Sequence, residues 1–117
     1  MPFSLKERTY RNLSKLNIRT LPETVEELFS KTTLNLANSQ ITSLPPEIGN
    51  LTQLEALILS GNNLTSLPLS LRNLRKLTYV NISGNRSLNQ DYMFDCFRGV
   101  ETVISDKYIW NLKELPF

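Results

Sequence analysis

Leu54-Glu55-Ala56-Leu57-Ile58-Leu59-Ser60-Gly61-Asn62-Asn63-Leu64, continued by Thr65-Ser66-Leu67-Pro68-Leu69-Ser70-Leu71-Arg72-Asn73-Leu74, reads as one out-and-back coil. Leu57 and Leu59 have the period-two spacing of a short strand with one buried face, and Leu54 and Leu64 flank it toward the same core. After Leu67-Pro68, the three-residue step from Leu71 to Leu74 suits a single helical or 3₁₀ turn returning along the opposite side. Such a coil cannot bury its apolar face alone and must stack on copies of itself.

The copies are present. Ile18-Arg19-Thr20-Leu21-Pro22, Ile41-Thr42-Ser43-Leu44-Pro45 and Leu64-Thr65-Ser66-Leu67-Pro68 are spaced 23 residues apart, and Leu112-Lys113-Glu114-Leu115-Pro116 follows after 48, two periods plus two residues. The second unit places Leu34 and Leu36 in the strand, Ile41 and Leu44 after it, and Ile48 and Leu51 on the return. The fourth supplies Leu77, Val80, Ile82 and Asn85.

These residues follow the pattern Leu-x-x-Leu-x-Leu-x-x-Asn-x-Leu-x-x-Leu-Pro, and residues 13–88 thereby resemble the leucine-rich repeat family. The Leu-Pro cassette is similar to that of intracellular Ras-associated repeat proteins and of bacterial effectors; the Ile-Pro signature of plant receptor ectodomains is missing. The resemblance implies a short α/β solenoid with a parallel concave sheet, helical or 3₁₀ convex turns and helical caps. It further implies that Asn62 and Asn85 form rungs of a buried ladder whose amides satisfy the backbone of adjacent loops, groups that are costly to leave dry. In unit two that position is Ser39, with Asn38 one place early; in unit one it is Leu16, with Asn17 one place late.

The ends depart from the period, giving an N-terminal helical cap over 1–12, repeats over 13–88 and an irregular repeat with C-terminal cap over 89–117, all one domain. Ser4 and Glu7 have capping-box spacing, with Leu5, Tyr10 and Leu13 expected on the inner side of a cap helix. Arg8 and Arg11 fall at leucine positions of unit one, so a nonstandard strand or none is expected there. In unit four the cassette becomes Ser87-Leu88-Asn89-Gln90-Asp91; Met93, Phe97 and Phe94 are then expected on one side of a short helix, and Val103 and Ile104 in another strand. Beyond them, either Trp110 and Phe117 close the core or the array continues past Phe117.

Composition restricts the chemistry. There is no histidine, which removes the commonest general base and metal ligand, and the net charge of +2 is spread along the chain. No cofactor, metal, nucleic acid or membrane is expected as a ligand. The four glycines form no phosphate-binding loop, and the carboxylates are scattered over separate units. Cys96 is the only cysteine. Its aromatic neighbours point to a buried structural role, and its solitude points to a reducing, cytoplasmic setting, which for a secreted effector is the host cytoplasm. Cys96-Phe97-Arg98 does not match the Cys-x-Asp motif of effector ubiquitin ligases. Five Asn-x-Ser/Thr sequons, at Asn12, Asn50, Asn63, Asn81 and Asn85, arise automatically from an Asn-Leu-Thr-rich repeat.

Function is therefore expected on the strand face. Outward positions are Thr33, Asn35 and Ala37 in unit two, Ala56, Ile58 and Ser60 in unit three, and Tyr79, Asn81 and Ser83 in unit four. Tyr79 and Ile58 are diagonal neighbours, read either as an interface anchor or as a tyrosine shielding an aliphatic side chain. Lys107, Tyr108 and Trp110 form a weaker second patch. The expected activity is noncatalytic binding of a protein partner, as in a bacterial effector acting in a host cell. The alternatives are the substrate-recognition part of a larger enzyme such as a ubiquitin ligase, or an extracellular recognition domain.

Overall fold

A computed structural model of the chain describes residues 4–16, 21–89, 93–106 and 109–111. Its sheet has five strands in chain order: β1 (Thr33–Asn35), β2 (Ala56–Ile58), β3 (Tyr79–Asn81), β4 (Thr102–Ile104) and β5 (Ile109–Asn111). The first four are parallel and in strict 23-residue register, Leu34 beside Leu57, Leu57 beside Val80 and Val80 beside Val103. The returns are 3₁₀ turns at Pro46–Asn50 and Leu69–Asn73, each beginning directly after the cassette proline. Between sheet and turns lies a single stacked core in which Leu34, Leu36, Leu57, Leu59, Val80, Ile82 and Val103 come from the strand side and Ile48, Leu51, Leu71 and Leu74 from the return side.

Coil-to-coil packing on the return side is tight enough to dictate composition. A Cβ on Gly49 would stand 2.4 Å from the Ser70 carbonyl oxygen, so only glycine fits there. The Ser70 hydroxyl donates to the Pro46 carbonyl at 2.6 Å, joining the same two turns.

At the N-terminus, α1 (Leu5–Ser14) is capped by Ser4, whose hydroxyl accepts from the Glu7 N–H at 3.1 Å. Residues 10–12, at strand register one period before β1, lie inside this helix, so β1 is the first strand among the described residues. α1 packs on the Pro46–Asn50 turn and on α2 (Val25–Ser30), whose N-cap Thr24 accepts from Glu27 N–H. Leu13 is buried and Tyr10 half-buried, its hydroxyl donating to the Pro22 carbonyl. Leu5, expected on the inner side, is instead 53% exposed. One turn further along, buried Thr9 holds the inner position. Its hydroxyl donates to Leu5 C=O at 2.8 Å and accepts from Asn50 Nδ2 at 3.1 Å, so a polar group is buried with its hydrogen bonds made.

At the other end, α3 (Met93–Phe97) packs on the Leu69–Asn73 turn and stands where a third 3₁₀ turn belongs. Phe97, Val100 and Val103 fill the core positions of Leu74, Leu77 and Val80 one period later, and all three are buried. Met93 and Phe94 side chains lie outside the described residues. Ser87 is exposed at the expected leucine position while Leu88, one place on, is buried; a one-residue slip keeps that layer filled. The sheet is not parallel throughout: β5 runs antiparallel to β4, pairing Ile104 with Ile109 and Thr102 with Asn111. Because β4 keeps the 23-residue register, the two extra residues fall between Ile104 and the last Leu-Pro cassette. That cassette, Phe117, Lys107 and Tyr108 lie outside the described residues, as does the Trp110 side chain.

Candidate protein-binding face

The face begins with the loops that hold it. At its foot, Asn62 and Asn85 are buried and form the expected ladder. Asn62 Oδ1 accepts from Ser39 N–H at 2.9 Å and Ile41 N–H at 3.1 Å, while Nδ2 donates to Leu36 and Leu59 carbonyls at 2.9 Å. Asn85 repeats this one coil later, accepting from Leu64 N–H at 3.1 Å and donating to Leu59 and Ile82 carbonyls at 3.0 and 2.9 Å. Each amide therefore ties two coils together. Above them run Asn38, Gly61 and Gly84, all with positive φ and 23 residues apart. Asn38 shows that the column admits a side chain with positive φ, but at Gly61 a Cβ would stand 2.0 Å from Asn38 Oδ1 and would force that side chain to move.

The strands present two rows across this scaffold. One is Thr33, Ala56, Tyr79 and Thr102; the other is Asn35, Ile58, Asn81, Ile104 and Ile109. Neither row contains an ionisable acid or base other than the tyrosine. Tyr79 stands between small Ala56 and Thr102, half-buried, and its hydroxyl has no hydrogen-bond partner among the described residues. Ile58 stands between Asn35 and Asn81 in the other row, so the diagonal relation to Tyr79 holds. Asn81 Oδ1 accepts from the Ser83 N–H at 3.0 Å and from its hydroxyl at 2.6 Å, and Asn35 Oδ1 from Ala37 N–H at 3.0 Å. These turns fix the two asparagine carboxamides by their oxygens. The third row, Ala37, Ser60 and Ser83, is half-buried at the strand ends. All nine sequence-selected residues thus lie on one continuous surface, Thr33 and Asn35 exposed and the rest half-buried.

The selection missed Thr102, Ile104 and Ile109. The first two are Tyr79 and Asn81 advanced by one period and were open to the same arithmetic. Ile109, 76% exposed, reaches the surface only through the antiparallel reversal, which has no periodic signal.

Other candidate chemistry is accounted for structurally. Cys96 is buried, its thiol donates to the Pro68 carbonyl at 3.9 Å, and burial foremost, then Asp95, pushes its pKa up, opposed by Arg72. A protonated, enclosed thiol is a poor nucleophile. Among the described residues no three His, Cys, Asp or Glu side chains are grouped to hold a metal, and no helix is long and apolar enough to cross a membrane. Of the sequon asparagines, Asn85 is a ladder rung, Asn50 donates to Thr9, and Asn12 Nδ2 donates to Glu47 at 2.7 Å.

Stacked parallel strands, a return layer and an open uncharged strand face define a solenoid recognition scaffold. Residues 32–86 match the family model described as Leucine rich repeat. Residues 32–86 are thus a leucine-rich repeat segment, and such repeats generally act as protein-interaction modules and are typically noncatalytic. No curated protein matches the chain.

Proposed function

We propose that the chain captures a protein partner on its concave face, with Tyr79 and Ile58 as the principal anchors and Ile104 extending the contact. The observation that carries this reading is the two-row strip itself, free of formal charge and flanked by rigid loops. A tyrosine whose hydroxyl has no partner among the described residues combines a flat apolar body with a polar tip, the type of residue that dominates interface energetics. Around it, small residues leave the strand face open to an extended segment. A cytoplasmic working place and a binding role without catalysis complete the reading; they rest on the lone buried cysteine and the absence of histidine.

Site-directed photo-crosslinking tests it. A photoreactive residue replacing Tyr79 should give one dominant adduct in cells that express the protein, the same residue at convex Asn73 should not, and Ile58→Ala should weaken the adduct. Equal yields from both faces, or an adduct indifferent to Ile58, would move the binding surface elsewhere.

A further inference from the structure

The end of the array carries a second, differently built recess. Where α3 replaces the third 3₁₀ turn, its connection to β4 does not close fully onto the Leu69–Asn73 turn, and a cavity of about 170 Å³ remains between them. Its floor includes the buried Leu71, Leu74 and Val100, and its walls bring together Arg72 and Arg75 from one coil with Arg98 from the next. All three arginines are exposed. None of them makes an ion pair or a side-chain hydrogen bond among the described residues. Asp95, on α3, acts on the Cys96 thiol, and among the described residues it forms an ion pair with none of the three.

The residues that line the cavity include three arginines and no carboxylate, and an anion there relieves the mutual repulsion of the arginines. Each presents a planar fork suited to bidentate contact with phosphate or carboxylate oxygens. The recess is smaller than the roughly 300 Å³ at which sites for whole drug-sized ligands begin, so it suits one side chain. A phosphorylated serine or threonine supplies close to two negative charges and three strong acceptor oxygens, matching three forks. Its methylene or methyl group suits the leucine and valine floor. A lipid surface fits less well, since polybasic membrane contacts use clusters of about four to eight cations, and three line this recess.

We propose that this recess binds the phosphomonoester of a phosphoserine or phosphothreonine side chain in a peptide. The site is on the return side, apart from the concave strip, and does not depend on it.

Amide NMR on the full chain, titrated with N-acetyl-O-phosphoserine N-methylamide, provides the test. Saturable shifts should appear at residues 71–77 and 96–100, weaken with salt, and be absent for the unphosphorylated serine compound. Arg75→Ala and Arg98→Ala should each weaken binding roughly 10- to 100-fold, the worth of one charge-assisted hydrogen bond. Both arginines are exposed, so the thermal midpoint should hold; Arg98→Lys, which keeps charge but loses the fork, should be intermediate. Tyr79→Ala should bind the phosphoserine compound normally, so failure here is distinct from failure at the concave face. Absence of saturable shifts, or affinity unchanged in Arg98→Ala, overturns the site. Stronger binding of inorganic phosphate, phenyl phosphate or phosphatidic acid vesicles than of the phosphoserine compound overturns the peptide assignment.

Discussion

The coils from Thr32 to Arg86 and the segment from Met93 to Asn111 share one inner geometry and differ almost everywhere outside it. Leu74, Leu77 and Val80 are answered 23 residues later by Phe97, Val100 and Val103, and β3 passes its register to β4 unbroken. Yet the later segment replaces a 3₁₀ turn with α3 and turns its last strand antiparallel. The repeat thus constrains what stacks: one strand residue and its flanking apolar contacts per layer. Return and exit are free to change once the layer below is filled. That freedom creates the arginine recess on one side and adds Ile109 to the strand face on the other.

The comparison can be broken most decisively at the ladder. Asn62→Ala strips the partner from the buried Ile41 N–H and Leu36 carbonyl, and from the half-buried Ser39 N–H; it should cost about 2 to 6 kcal/mol at roughly 1 to 3 for each of the two buried groups, and urea denaturation measures it. A loss below about 1 kcal/mol would mean that water replaces the amide and that the loops are held by apolar packing alone. Leu57→Ala in the regular coil should cost about 2 to 5 kcal/mol, and Val103→Ala in the later segment about 1.5 to 3, the smaller side chain leaving the smaller cavity. Were Val103→Ala nearly silent, β4 would be an appendage and not a stacked layer. Gly61→Ala should lose about 1 to 3 kcal/mol through its left-handed backbone and the contact with Asn38.

A smaller effect concerns the junction between the two regions. Burial raises the Cys96 pKa, so the native state holds its proton above pH 9 where the unfolded thiol has lost it. The stabilisation is complete below the unfolded value and is lost as pH rises through the higher folded one. Unfolding midpoints should therefore fall more steeply from pH 8 to 10 in the wild type than in Cys96→Ala, and parallel slopes would show that the thiol reaches water. The smallest expected effect is Tyr79→Ala, within about 0.5 kcal/mol in stability as for other surface positions.

Much of this was legible because the period is a direct report of stacking. Leu57, Leu59, Asn62 and Leu67-Pro68 prescribe a strand, a satisfied loop and a turn, and the nine strand-face residues follow by alternation alone. Leu5 was misplaced because helical spacing defines a face but not how far along the helix a neighbour extends to cover it. Thr9 was overlooked because its burial depends on a hydrogen bond to Asn50, 41 residues away. The three arginines carried no signal in the chain, being ordinary solvated charges until α3 sets Arg98 against Arg72 and Arg75.

The sequence by itself determined the 23-residue layer, its core and its outward face, since each follows from local periodicity and from burying one apolar stripe per coil. Only the tertiary structure decided where the array turns back and which charges meet, because both depend on how an irregular segment settles onto the last regular coil. The late Leu-Pro cassette shows the division: its two extra residues were visible in the chain, and their place after Ile104 was fixed by β4 staying in register with β3.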